Sequence, residues 1–248
     1  MKKWAKNFLL LTCSLASLSL YAGCDEDMTE MRFICYDTYF GVNYKYNWTK
    51  PKGDWNRIFP KTHPGFDVYA GWRFLPNFGI ELGYDWTSDK PKSTSIPAGT
   101  TFLGVTNPGP GVILTGKVRF KTGHADLNYF LPFKVYLDCT CENFITPEVI
   151  FSFGIAATKT KLDITANEET PFSDLFTGVD TKSKAIFRAG LGIQTLVIEN
   201  VGLRALARYE TTSTIRVRND APLANLNRGE RKIFKDTISL SAGIYFTF

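Results

Sequence analysis

The sequence predicts an all-β fold: an eight-stranded antiparallel transmembrane up-and-down β-barrel, with short periplasmic turns and long outer loops. Three observations carry that expectation. Segments of about ten residues alternate apolar and polar side chains with a period of two. The connectors between these segments alternate short and long. The chain also opens with a pattern that reads as an export signal.

The composition agrees with this and narrows it. A chain of 248 residues has room for one barrel or one domain, and not for two sizeable ones. Aromatics at 15% and 20 glycines favour strands and turns over helices. Mean hydropathy is near neutral, as expected where strands alternate in polarity. The net charge of +5 owes three charges to Lys2, Lys3 and Lys6 in the leader. The remaining charge, about +2, argues for no nucleic-acid partner.

Those three lysines precede an apolar run from Phe8 to Tyr21, followed by Ala22 and Gly23. A charged start, a short apolar run and small residues after it make residues 1–22 a signal peptide, cleaved after Ala22. The run is shorter than the roughly 20 apolar residues of a spanning helix. A second reading is that Leu20-Tyr21-Ala22-Gly23-Cys24 is a lipoprotein box with Cys24 acylated, although Tyr21 fits that pattern poorly. Residues 23–38 are then a periplasmic N-terminal segment and 39–248 the barrel. No later segment approaches 18 uninterrupted apolar residues, so any membrane crossing falls to strands.

The strands follow in order. The first, Tyr39–Trp48, sets Phe40, Val42, Tyr44 and Tyr46 outward against Gly41, Asn43 and Lys45. The second, Phe66–Phe74, opposes Phe66, Val68, Ala70, Trp72 and Phe74 to Asp67, Tyr69, Gly71 and Arg73. The third opposes Ile80, Leu82, Tyr84 and Trp86 to Glu81, Gly83 and Asp85. In the fourth, Ala125, Leu127 and Tyr129 oppose His124, Asp126 and Asn128, while Val118 and Phe120 fall out of phase. Either a bulge or emergence from the membrane accounts for that slip.

The fifth sets Val149, Phe151, Phe153, Ile155 and Ala157 against Glu148, Ser152, Gly154 and Thr158. The sixth sets Phe187, Ala189, Leu191, Ile193 and Val197 against Arg188, Gly190, Gly192 and Gln194. The seventh sets Leu203, Ala205, Ala207 and Tyr209 against Arg204, Arg208 and Glu210. The eighth is the most regular: Ile238, Leu240, Ala242, Ile244, Phe246 and Phe248 share one face, and Thr237, Ser239, Ser241, Gly243, Tyr245 and Thr247 the other.

Alternation alone does not tell inside from outside, and a soluble sandwich or barrel would turn its apolar face inward. The connectors decide. Leu75–Gly79 and Glu199–Gly202 are short, whereas Thr49–Gly65, Ser88–Gly116, Asp163–Lys182 and Arg216–Phe234 are long and polar. That is how turns and outer loops are arranged in membrane barrels, and Trp48, Trp86 and Tyr129 supply anchors at strand ends.

The glycine-punctuated start Phe40-Gly41-Val42, the run Phe78-Gly79-Ile80-Glu81-Leu82-Gly83-Tyr84 and the ending Ala242-Gly243-Ile244-Tyr245-Phe246-Thr247-Phe248 resemble the OmpA-like eight-stranded outer-membrane barrel family. The resemblance spans essentially all of the mature sequence. It implies a bacterial outer-membrane location, contact with outer-membrane lipid and lipopolysaccharide, and recognition by the assembly machinery. Ile244, Tyr245, Phe246 and Phe248 look like the membrane-insertion signal that this machinery reads. The periplasmic peptidoglycan-binding domain of OmpA itself has no counterpart here, so no wall attachment is implied.

Eight strands enclose a space that side chains can fill. The inward residues include Lys45, Arg73, Arg188, Arg204 and Arg208, with Asp67, Glu81, Asp85, Asp126, Glu148 and Glu210. Confined charges must pair, so a salt-bridged plug that closes the lumen is expected, and a narrow porin-like channel for ions or small solutes is the alternative. A lipid A-modifying enzyme would need His, Ser and an acid near the rim. The two histidines, His63 and His124, are not brought to a serine by any spacing in the sequence. The expectation is no enzyme, no cofactor and no metal.

The basic loops Thr49–Gly65 and Arg216–Phe234 suit lipopolysaccharide phosphates or a host or envelope partner. Cys13 leaves with the signal. Cys24, Cys35, Cys139 and Cys141 map to the oxidising periplasmic side, where four thiols allow three pairings. A bond from Cys24 or Cys35 to the 139–141 segment is favoured over a strained ring within Cys139-Thr140-Cys141.

Overall fold

The computed structural model describes residues 38–88, 90–102, 105–136, 144–167, 184–211, 215–216, 230–231, 234 and 236–248. The expected signal peptide, the N-terminal segment, all four remaining cysteines and most of the 216–234 loop lie outside the described residues. The elements in chain order are β1 (Thr38–Trp48), a one-turn helix α1 (Trp55–Ile58), β2 (Thr62–Leu75), β3 (Phe78–Thr87), β4 (Lys92–Ile96), β5 (Thr101–Phe102) and β6 (Val105–Thr106). They continue with β7 (Val112–Pro132), β8 (Val135–Tyr136), β9 (Phe144–Ile145), β10 (Glu148–Ala166), β11 (Lys184–Ile198), β12 (Val201–Glu210), β13 (Ile215–Arg216), β14 (Glu230–Arg231) and β15 (Thr237–Thr247).

Eight long strands pair antiparallel in the circle β1-β2-β3-β7-β10-β11-β12-β15, and β15 returns to β1. That last ladder runs without interruption from Tyr39↔Thr247 to Trp48↔Ile238. Closure matters because a sheet edge left open in hydrocarbon would expose unpaired N–H and C=O groups. Both chain ends of the barrel and the two-residue turns at Pro76-Asn77 and Glu199-Asn200 lie at one end, the turn end. The longer connections lie at the other, the loop end.

The eight expected strands correspond in order to β1, β2, β3, β7, β10, β11, β12 and β15, with the same parity of faces. The outward face is apolar. Leu82, Ile155, Phe187 and Leu203 are all more than half exposed, which suits lipid and not water. Aromatic rings crowd both margins of this band. Tyr44–Phe66 and Phe66–Trp86 lie toward the loop end, with ring centroids 5.6 and 6.1 Å apart, and Phe78–Tyr129 and Tyr129–Phe151 toward the turn end, at 5.0 and 6.2 Å.

Inside, bulky side chains fit because glycine stands opposite them. Tyr39 pairs with Gly71 and Tyr69 with Gly41 across the β1–β2 ladder. A Cβ added at Gly41 would lie 2.3 Å from the Tyr69 ring, so each tyrosine lies over the bare backbone of its partner.

Two expectations are corrected. There is no bulge at Val118 and Phe120, because the β7–β10 register is unbroken from Glu148↔Pro132 to Ala166↔Leu114. The slip is one of polarity, not of backbone. Even-numbered residues of β7 stay inward throughout, but above His124 the inward set becomes mostly apolar and the outward set cationic. This is what emergence from lipid requires, since the outer surface then meets water. For the same reason the connectors are shorter than expected. Residues 62–65 belong to β2, 112–116 to β7 and 163–166 to β10, and β4 pairs along the upper part of β7. Polar outward residues there read as loop in the sequence although the backbone is strand.

Position in the band therefore sets the cost of an outward charge. Ile155→Arg is expected to destabilise by about 2–4 kcal/mol. Thr165→Arg, outward on the same strand but above the band, is expected to stay within about 0.5 kcal/mol. Urea unfolding in lipid vesicles measures both, and equal costs would place the band wrongly.

Candidate functional site

The most elaborated part of the molecule is the barrel interior, which divides into four tiers. At the turn end Tyr39, Tyr69, Phe130, Ile150 and Tyr245 form an aromatic floor. The Tyr39 ring meets Tyr69 and Phe130 edge-on at 6.2 and 6.3 Å. Arg73 lies 4.0 Å over the Phe130 ring and donates to Glu148 through both terminal guanidinium nitrogens, Nη1 and Nη2, and Gln194 Nε2 donates to Glu148 at 2.7 Å.

Above the floor sits the charged tier. Apart from Arg73 and Glu148 at the floor, the inward charged residues named from the sequence face this space, because they share one parity on strands that curl around it. Glu81 accepts Arg204 Nη1 at 2.6 Å, Arg208 Nη2 at 3.2 Å, Asn128 Nδ2 at 3.1 Å and the Tyr39 hydroxyl at 3.3 Å. Arg208 also reaches Asp67 at 3.0 Å and Asp126 at 3.3 Å, so one guanidinium ties β12 to β2, β3 and β7. Higher up, Lys45 Nζ bridges Asp85 and Glu210 at 2.8 and 2.9 Å. Arg188 stands 3.3 Å from Glu210 and 3.9 Å from Asp85 and from Asp126, attracted by all three without a directed hydrogen bond. These groups are almost wholly buried, Glu148 being the most open.

Sequence parity already placed His124 inward, but not in the network. Its Nε2 lies 3.0 Å from Asp67 and its Nδ1 3.0 Å from Asp126. The ring covers Gly83, its cross-strand partner, where an added Cβ would approach to 2.4 Å. Tyr39, Asn43, Asn128 and Gln194 also join the network, and inward parity was the only available signal for them. Ser241, inward on β15, donates to the Leu206 carbonyl at 3.2 Å. His63 meets Thr49 Oγ1 at 2.9 Å near the loop end. Neither histidine is part of a Ser–His–acid arrangement among the described contacts.

Two sets of side chains, Asp67/Asp85/His124 and Glu81/His124/Asp126, bring three potential metal donors within 4.8 Å of one another. Arg208 and Lys45 already supply the positive charge at their carboxylates, so the geometry suits an arginine–lysine network.

Over the charges lies a cavity of about 30 Å³, lined by Asn47, Thr49, Asp85, Phe120, Thr122, Thr158, Thr160, Ile186, Glu210, Thr211 and Thr237. It has room for roughly two waters. Thr122 and Thr158 hydroxyls meet across it at 3.0 Å, and the buried Asn47 Oδ1 has no protein partner.

The uppermost tier is an apolar cap. One cluster joins Ile58, Ile96, Phe102, Val112 and Leu114, and a second joins Phe59, Val118, Leu162 and Phe234, with Trp55 packed on both. Trp55 stacks on Phe59 at 5.8 Å, and Phe234 meets Phe120 at 5.5 Å. The α1 turn thus folds over the barrel mouth. This cap was not foreseen, because most of its residues are scattered through segments that read as loops, and Val118 and Phe120 read only as out of phase in the fourth strand.

A closed eight-stranded antiparallel barrel with a lipid-type exterior and a paired polar interior defines an integral outer-membrane barrel. Residues 35–246 match the family of outer membrane protein beta-barrel domains, and the chain belongs to that family. Its location is accordingly the bacterial outer membrane. Comparison with curated proteins returns no match.

Among solved structures, it is similar to the attachment invasion locus protein Ail of Yersinia pestis, at 10% identity and a TM-score of 0.42, covering 87% of this chain and 100% of that one. It is similar to Neisserial surface protein A at 12% identity and a TM-score of 0.44, covering 86% and 97%. It is also similar to OprG of Pseudomonas aeruginosa at 10% identity and a TM-score of 0.48, covering 86% and 96%.

The network makes a graded prediction. Glu81→Gln leaves two buried arginines short of their shared carboxylate and is expected to cost about 3–5 kcal/mol. Glu148→Gln, at the more open floor, is expected to cost less. Denaturant titration of the refolded barrel compares them, and the reverse order would show that burial does not set the cost.

Proposed function

We propose that the protein is a closed outer-membrane barrel with a structural and surface-interaction role, exported by the leader of residues 1–22 and inserted through the signal that ends at Phe248. The observation that carries this reading is the double obstruction of the lumen. Buried ion pairs span it at mid-height, and the apolar cap of Ile58, Phe59, Val118 and Phe234 fills the loop end. An ion entering from outside would have to cross a dry apolar layer and then displace cations already held by carboxylates, and both steps are unfavourable. What remains available to partners is the outer surface.

The second reading, a narrow channel for ions or small solutes, is favoured by one observation only. The threonine-lined cavity puts polar groups between the two obstructions. A lipid-modifying activity finds no supporting geometry in the described contacts of His63 and His124.

Planar-bilayer recording separates the two readings. The full chain is expected to give no unitary conductance steps. Reproducible steps that survive repurification, and that change when Lys45 is replaced by glutamine, would favour the channel.

A further inference from the structure

The outward faces of β7 and β10 change character at one level. On β7 the outward residues run Leu131, Tyr129, Leu127, Ala125 and Gly123, and then Lys121, Arg119 and Lys117. On β10 they run Val149, Phe151, Phe153, Ile155 and Ala157, and then Lys159, Lys161 and Asp163. The two switches are in register, since Ala157 pairs with Gly123 and Lys159 with Lys121. Ten residues of strand separate Leu131 from Lys121, about 34 Å along the chain, which at the usual tilt of about 40° spans about 26 Å of membrane normal. That matches an outer-membrane apolar band of about 25 Å, and it places the first lysines at the headgroup level.

The register above this line is unusual. Lys159 stands directly opposite Lys121, and Lys161 directly opposite Arg119. Like charges directly across an antiparallel ladder are destabilising. Among the described residues of these two strands the acid at this level is Asp163, which stands opposite Lys117 and lies 3.4 Å from Lys161, so by register it does not face the Lys121–Lys159 pair. Among the described strand residues the cluster lies on one side of the barrel. Near the same level β1, β3, β12 and β15 present Trp48, Trp86, Tyr209 and Ile238 outward. An unbroken ladder holds the cations in place, and cross-strand Cβ atoms about 4.5–5.5 Å apart let one phosphate oxygen cluster meet several of them.

We propose that Lys121, Lys159 and Lys161, flanked by Arg119 and Lys117, form a binding site for the lipid-borne phosphates of lipopolysaccharide in the outer leaflet. A bound phosphate offsets the repulsion that the register creates, and the acyl chains lie against Ala157, Ile155 and Leu127 beneath it. The proposal deepens the surface-interaction reading and rests on its membrane orientation, but not on a closed lumen.

The test uses the full chain folded in detergent, titrated with purified lipopolysaccharide, with dephosphorylated lipopolysaccharide and with inorganic phosphate. Folding of each variant is checked by heat-modifiable gel mobility. The variant K121Q/K159Q/K161Q is expected to bind lipopolysaccharide at least about tenfold more weakly than the unaltered chain, since each surface cation near anionic headgroups contributes measurably. A control at the turn end, Lys134→Gln, on the opposite side of the membrane from the cluster, is expected to bind like the unaltered chain.

Dephosphorylated lipid is expected to bind the unaltered chain and the strand variant equally weakly, and millimolar inorganic phosphate to compete with neither. Equal affinity of the strand variant and the unaltered chain for lipopolysaccharide would overturn the site. So would a loss confined to the variant K50Q/K52Q/K61Q of the basic first loop, and competition by inorganic phosphate would reassign the site to a free anion. Should the triple variant misfold, Lys121→Gln and Lys159→Gln made singly carry the same comparison. Bilayer conductance by the unaltered chain would overturn the closed-lumen reading alone, so the two failures are distinguishable.

Discussion

The ladder between β1 and β15 is the interaction on which the rest of the structure depends. It joins the ends of the barrel through ten consecutive residue pairs, from Tyr39↔Thr247 to Trp48↔Ile238, and Phe248 N–H adds a bond to the Thr38 carbonyl at 3.0 Å. Hydrocarbon offers no partner for an open sheet edge, so without this seam neither strand would be tolerable in a membrane. Closing the seam also creates an inside, and every polar side chain excluded from the lipid face is then gathered there.

The tiers of the interior follow from that enclosure. Within the lipid band the inward residues are those that lipid rejects, and they can be buried only by pairing. Glu81 with Arg204 and Arg208, and Lys45 with Asp85 and Glu210, do so at hydrogen-bonding distance. Beyond the band the outside meets water, and the inside becomes the place for Val118, Leu162 and Phe234. The same strands therefore carry charge inside at one height and apolar groups inside at another, with the inverse arrangement on their outer faces. The threonine-lined cavity marks the level where one regime gives way to the other.

Much of the barrel was legible because lipid imposes period-two alternation on each spanning strand, and β15 shows it over its whole length. The inward charges were legible for the same reason: Asp67, Arg73, Arg188 and Glu210 each fall on the parity opposite a run of apolar neighbours. Legibility ended where the strands leave the band. Val118 and Phe120 looked out of phase because the rule linking parity to polarity reverses there, while the backbone does not. The cap residues Ile58, Ile96, Phe102 and Phe234 come from three separate connectors, and nothing local marks them as neighbours.

By itself the sequence determined the all-β class, the number and parity of the spanning strands, and which charges must avoid lipid, because each of these is a local consequence of alternation. Only the tertiary structure decided the partners. Whether Arg208 meets Asp67, Glu81 or Asp126 depends on curvature and register, which bring residues more than eighty positions apart onto one guanidinium. The apposition of Lys121 with Lys159 is of the same kind. A two-residue repeat specifies that both point outward, but only the register of β7 against β10 sets one directly across from the other.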